Sequence, residues 1–98
     1  MWDTAVLQSV ASQLLGGTAI EVDGKISRVT RTSSQRLRTA TFGLNGRQFQ
    51  GIEQNPTKPS QWGQLAREGH QVVQFKDART NRFVAVWVDG EITEYGRT

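Results

Sequence analysis

Residues 40–51, ATFGLNGRQFQG, decide the fold that we expect for this chain of 98 residues. The Asn45-Gly46 pair lies between two strand-like runs, and Asn followed by Gly suits a two-residue hairpin turn, which needs positive φ at both positions. One face then pairs Leu44 with Arg47, Phe42 with Phe49, and Ala40 with Gly51, and the other pairs Gly43 with Gln48, Thr41 with Gln50, and Thr39 with Ile52. The first face is mostly apolar and the second mostly polar, which is typical of a half-exposed antiparallel sheet.

Two more turn signals, Asp23-Gly24 and Asp89-Gly90, indicate that β-structure continues on both sides of this hairpin. Strands are predicted at 71–77, 82–88 and 91–95. The run Phe83–Val88 is apolar throughout, so it should have cover on both faces and lie centrally, paired with the strands before and after it. The predicted order is helix, four strands, helix, three strands.

Two helices are predicted outside the strands. Over residues 3–15, apolar side chains recur every four positions from Trp2 to Leu14, and Gly16-Gly17 ends the helix. A shorter helix over 60–68 begins near Pro59 and is closed by Gly69, and it should dock through Trp62 because Gly63 weakens it.

These elements predict an α+β fold in a single domain, 1–98. We expect a strongly curved, mainly antiparallel sheet of six or seven short strands, with the N-terminal helix packed on it and the short second helix beside it. An open sheet and a partly closed barrel both fit the pattern. One arrangement puts both helices on one face, and the other face is then covered by the curling sheet or by a second subunit.

Composition excludes several chemistries. The absence of cysteine removes disulfides, thiolate metal sites and cysteine nucleophiles, and His70 is the one histidine. No nucleophile elbow, zinc-protease or nucleotide-binding motif is present. We therefore expect a protein that is not an enzyme and has no metal and no cofactor. His70 is interpreted as a boundary residue, and a ligand pocket would need converging polar groups near His70 or Arg47.

No apolar run is long enough to span a membrane, and the first residues lack the pattern of a secretory signal. We therefore expect a cytoplasmic protein with no membrane partner.

The net charge of +3 is unevenly distributed. Residues 1–23 contain acids and no lysine or arginine, whereas residues 24–52 contain no acid and residues 53–98 are balanced. The cations of the middle segment are Lys25, Arg28, Arg31, Arg36, Arg38 and Arg47. Serine and threonine hydroxyls lie between them, and both groups can contact phosphate oxygens.

This basic segment predicts a small binding module for a polyanion such as RNA or single-stranded DNA, contacted by those six residues. Phe42 and Phe49 lie in the same segment, but the hairpin register places them in the core. The alternative is a protein-interaction or homo-oligomerisation module without a nucleic-acid role, such as a homodimer. That alternative is suggested by the doubly apolar run Phe83–Val88 and by three tryptophans, and its arginines would contact an acidic protein surface.

Overall fold

The computed structural model describes residues 4–17, 19–32, 36–54 and 60–95. In chain order the elements are α1 (Thr4–Gly16), β1 (Ala19–Val22), β2 (Lys25–Arg28), β3 (Thr30–Arg31), β4 (Arg38–Leu44), β5 (Arg47–Glu53), α2 (Gln61–Arg67), β6 (Val72–Asp77), β7 (Phe83–Val88) and β8 (Glu91–Glu94). The predicted α+β class and both predicted helices are confirmed. Trp2 and Pro59, which the sequence places at the starts of these helices, lie outside the described residues.

The main sheet has six antiparallel strands in the order β3-β4-β5-β6-β7-β8, and β1 and β2 form a separate hairpin. The predicted register of β4 with β5 is confirmed pair by pair. Both residues of each predicted turn have positive φ, as at Asn45 (54°) and Gly46 (77°). Within the described ranges β3 and β8 are unpaired with each other, so the sheet is open. The predicted four strands before α2 are five, because Val29 divides the segment into β2 and β3.

One side of the sheet, the covered face, carries the core beneath α1. The helix buries Leu7, Val10, Ala11 and Leu14, and the sheet contributes Phe42, Phe49 and Phe75. The ring centroids of Phe42 and Phe75 are 6.0 Å apart in an edge-to-face arrangement, which aromatic pairs prefer. Gly51 lets the layers approach closely, since a Cβ atom there would lie 3.3 Å from the Phe75 ring.

The second helix packs on the other side of the sheet. Strand alternation places Val72 and Val86 on that side, and both are buried where α2 packs against β6. Trp62 of α2 contacts Tyr95, with ring centroids 6.3 Å apart. The arrangement with both helices on one face is therefore wrong, because the central strand β7 is apolar on both faces and each helix covers one of them.

The predicted central position of Phe83–Val88 is confirmed, since β7 pairs with β6 and with β8. Because α2 covers only the part of its face near β6, the polar side chains at the β4–β5 end remain accessible, and Thr41 and Gln48 are exposed. We call this accessible region, with Thr41, Gln48, Gln50 and Lys76, the open face. Neither described helix is long and apolar enough to cross a membrane.

Candidate functional site

Four of the six predicted site residues are exposed along residues 25–36. Lys25 begins β2 and Arg28 ends it, Arg31 ends β3, and Arg36 lies in the connection to β4. Among the described residues, none of these four side chains is within ion-pair distance of an acid. We call this set, Lys25, Arg28, Arg31 and Arg36, the basic edge, because β2 and β3 both contact β4 at one edge of the main sheet.

Arg38, the fifth predicted residue, is used by the fold. Its Nη1 donates to Glu53 Oε2 at 3.1 Å, and its backbone N–H donates to Glu53 Oε1 at 3.0 Å. Both side chains are about three-quarters buried, with exposures of 28% and 27%. Arg38 therefore joins the start of β4 to the end of β5.

Arg47, the sixth, is paired with a buried acid. Its Nη2 donates to Asp77 Oδ2 at 2.6 Å, and its guanidinium lies 5.6 Å from the centre of the Phe49 ring. This hydrogen bond is the main reason why the pKa of Asp77 lies below its usual range, and the backbone N–H of Arg79 lowers it further. Arg47 thus fixes the end of the β4–β5 hairpin against β6.

The six cations therefore do not form one cluster. Arg38 and Arg47 lie at opposite ends of the hairpin, about 20 Å apart along β4 at the usual rise per residue. At the Arg38 end, Arg31 is the direct cross-strand partner of Arg38, and its Nη1 donates to the carbonyl oxygen of Arg36 at 3.1 Å. Opposed like charges are unfavourable, and the Glu53 carboxylate beside Arg38 offsets this repulsion.

At the other end, a groove of about 350 Å³ separates β2 from the β4–β5 hairpin. Lys25 and Arg47 both line it. Ile26 also lines it and is 75% exposed. β3 pairs only with Arg38 and Thr39 of β4, so in the described part of the chain the rest of that edge of β4 has no paired strand.

Sequence reasoning missed a row of four side chains across the open face. Register pairs Thr41 with Gln50, Gln50 with Lys76, and Lys76 with Phe83, so the row crosses β4, β5, β6 and β7. Phe83 is 44% exposed, and the Lys76 ammonium lies 5.9 Å from the centre of its ring. We call Thr41, Gln50, Lys76 and Phe83 the cross-strand row.

A β-bulge places Phe83 in this row. Phe75 pairs with Ala85, but Lys76 pairs with Phe83, so Val84 is an extra residue in β7. Without it, strand alternation would turn Phe83 to the covered face with Ala85 and Trp87. The apolar run Phe83–Val88 has no local pattern that indicates the bulge. Of the row, only the positions of Thr41 and Gln50 could be predicted, because polar residues alternate along the two hairpin strands.

His70 is held at the end of the sheet by Asp89. His70 Nδ1 lies 2.6 Å from Asp89 Oδ2, and the backbone N–H of Gln71 donates to Asp89 Oδ1 at 2.8 Å. The hydrogen bond from Gln71, followed by that with His70, holds the pKa of Asp89 below its usual range. His70 thus occupies the boundary position that the sequence predicts.

A cavity of about 190 Å³ lies near His70 and is also lined by Arg38 and Glu53. Ligand pockets usually start at about 300 Å³. The ionisable groups here are paired, Arg38 with Glu53 and His70 with Asp89. The cavity therefore supports a small-ligand site less well than the basic edge supports an anion site.

Comparison with protein-family models, with curated proteins and with solved structures finds no match for this chain.

Proposed function

We propose that this domain is a non-enzymatic binding module for a polyanion, and that the polyanion is the phosphate backbone of a nucleic acid. The observation that carries the proposal is the basic edge, with four exposed cations that have no ion-pair partner among the described residues. Solvent-exposed guanidinium groups bind phosphate oxygens in a planar, two-pronged geometry.

The two remaining cations have a supporting role in this proposal. Arg38 and Arg47 are already paired with Glu53 and Asp77, so they hold the ends of the hairpin and add less to binding. The proposed contact set is thus narrower than the six residues expected from sequence, and it is Lys25, Arg28, Arg31 and Arg36.

Fluorescence anisotropy with a labelled oligouridylate, titrated at low and at moderate salt, tests the proposal. Neutralising phosphates releases counterions, so contact by four cations predicts a slope of about −2.8 for the logarithm of affinity against the logarithm of salt concentration. Arg31→Gln should weaken binding and reduce the magnitude of this slope by about 0.7. No binding at protein concentrations on the order of 100 µM in low salt would exclude the proposal.

Arg67→Gln is the matched control, because Arg67 is exposed on α2, which packs against β6, and the substitution removes the same charge. If Arg67→Gln weakens binding as much as Arg31→Gln, binding responds to net charge and the basic edge is not the site. The combined variant Arg28→Gln, Arg31→Gln and Arg36→Gln should lose more affinity than any of its single variants.

A second candidate function is protein interaction, favoured by the unpaired edge of β4. In a two-residue hairpin the pair next to the turn, Leu44 with Arg47, exchanges hydrogen bonds. Thr41 and Gly43 consequently direct their amide and carbonyl groups away from β5, toward the groove. An extended segment of a partner protein can pair with such an edge.

Amide hydrogen exchange distinguishes this candidate from the first. A peptide partner that adds a strand would hydrogen-bond to the backbone of Thr41 and Gly43, and it would slow exchange there far more than a nucleic acid held through side chains. Light scattering after size exclusion tests the homodimer form, and a monomer at every concentration examined would exclude it.

A further inference from the structure

We infer that the cross-strand row binds unpaired bases, so that the nucleic acid recognised by this domain is single-stranded. This inference rests on the proposed function, because the basic edge would hold the phosphates of the same strand. Four residues on adjacent strands carry it, namely Thr41, Gln50, Lys76 and Phe83.

Phe83 lies at one end of the row, beside Lys76. Phe83 is 44% exposed, and the other three members of the row are polar. The bulge at Val84 brings it there, whereas the regular strand phase would direct it to the covered face. Bulges commonly redirect side chains at functional positions. An exposed aromatic ring on a sheet is a platform on which an unpaired base stacks.

Lys76 and Gln50 follow Phe83 in the row and supply an ammonium group and an amide group. Lys76 lies between Phe83 and Gln50 in the row, and its ammonium is close enough to the ring for a cation–π contact. The same ammonium can bind a phosphate next to a stacked base. Gln50 donates to the Thr39 hydroxyl at 3.3 Å, and its amide oxygen can accept a hydrogen bond from a base edge.

The other end of the row lies beside the basic edge. Thr41, at one end of the row, lines the groove together with Lys25 of β2. The row covers three inter-strand spacings, about 14 Å at the usual separation of strands. A single strand can therefore run from Lys25 of β2 across the open face to Phe83. A duplex keeps its bases stacked inside and cannot make the contact with Phe83.

The experiment compares Phe83→Ala with the wild-type domain on a labelled oligouridylate, on the matching DNA oligonucleotide, on an abasic oligonucleotide and on a duplex. Loss of one stacked base should weaken binding of both single strands about fivefold to 150-fold. Binding of the abasic strand should change less than twofold, since it has no base to stack. The RNA and DNA arms show which sugar is preferred.

Two further variants separate stacking from a structural effect. Phe83→Tyr keeps an aromatic ring and should restore binding to within about threefold of wild type, because stacking tolerates any flat ring. Ile92→Ala is the control, since Ile92 is a partly buried apolar side chain on β8 that lies outside both the row and the groove. It should leave binding unchanged, and circular dichroism confirms that each variant is folded.

The outcomes separate the two proposals. If no oligonucleotide binds the wild-type domain, the proposed function and this inference both fail. If binding depends on Arg31 but Phe83→Ala binds as well as wild type, the basic edge remains supported and the cross-strand row is excluded. The row is also excluded if the wild-type domain binds a duplex as tightly as the single strand. It is likewise excluded if Phe83→Ala weakens binding of the abasic strand as much as binding of the oligouridylate.

Discussion

The two faces of the β4–β5 hairpin have different surroundings, because one face lies in the core and the other lies on the open face. Phe42 and Phe49 point into the core, where they are 2% and 1% exposed, and their rings lie 5.9 Å apart. Thr41 and Gln50, one position away along each strand, lie on the open face. Strand alternation thus assigns stability and the proposed binding to adjacent residues, so substitutions one residue apart should have separable effects.

The arginines divide in a similar way. Arg38 and Arg47 each pair with an acid that lies far away in sequence, Glu53 or Asp77. Arg28 and Arg36 have no such partner among the described residues. Arginines of the same segment therefore serve the fold or remain available to a ligand, according to whether an acid is within reach.

The largest expected effect on stability comes from a substitution on the covered face. Phe42→Ala should lower the free energy of unfolding by about 3–5 kcal/mol, because it leaves a cavity between rings that are otherwise fully packed. Denaturant unfolding followed by circular dichroism measures this. A loss below about 1 kcal/mol would show that the three phenylalanines do not form the packed centre.

Gly51→Val should have the next largest effect. A Cβ atom at Gly51 would lie 3.3 Å from Phe75 and 3.7 Å from Leu14, so a branched side chain would push α1 away from the sheet. Overpacking of this kind costs about 1–3 kcal/mol. Denaturant unfolding again measures the loss. Gly46→Ala is not a suitable control, because Gly46 has positive φ and the substitution would strain the backbone. Gln48→Val, on the open face of the same strand, is the matched control.

A smaller, pH-dependent effect is expected at Asp77. Since the folded protein has a lowered Asp77 pKa, the ionised carboxylate stabilises it above the unfolded value of about 3.9, and this contribution is lost as the pH falls through the folded value. Wild type should therefore lose more stability than Asp77→Asn between neutral pH and acid pH. Denaturant unfolding at both pH values measures the difference.

Asp23→Asn controls for this test, because Asp23 is an exposed turn residue and the substitution removes the same charge. If Asp23→Asn and Asp77→Asn respond to acid in the same way, the ion pair with Arg47 has no specific role in stability.

The smallest expected effect on stability lies on the open face. Thr41→Ala should change the free energy of unfolding by no more than about 0.5 kcal/mol, because Thr41 is exposed and alternates with the buried residues Ala40 and Phe42 along β4. If the cross-strand row binds bases, Thr41→Ala should still weaken oligonucleotide binding measurably by anisotropy. A loss of stability comparable with that of Phe42→Ala would contradict the assignment of the two faces.

Local patterns predicted much of the fold. The turns at Asp23-Gly24, Asn45-Gly46 and Asp89-Gly90 and the register of β4 with β5 could be derived from sequence, because positive φ and strand alternation are properties of a few neighbouring residues. The placement of Phe42 and Phe49 in the core followed from the same alternation. The placement of α2 on the face opposite α1 could not be derived, since it depends on which side of the sheet the connection from β5 crosses.

The candidate site was only partly predictable for the same reason. The basic segment is a feature of neighbouring residues and was visible, whereas the partners of Arg38 and Arg47 are 15 and 30 positions away. Phe83 reached the open face through one unpaired residue in β7, and no local pattern marks that residue.

By itself, the sequence determined the hairpins, the helical stripe, the central position of β7 and the segment that holds the excess positive charge, because each depends on backbone geometry or composition over a few residues. Only the tertiary structure decided which arginines are neutralised, which face each helix covers and where Phe83 points. Those outcomes depend on contacts between distant segments, and a bulge of one residue reverses the phase of every side chain beyond it in the strand.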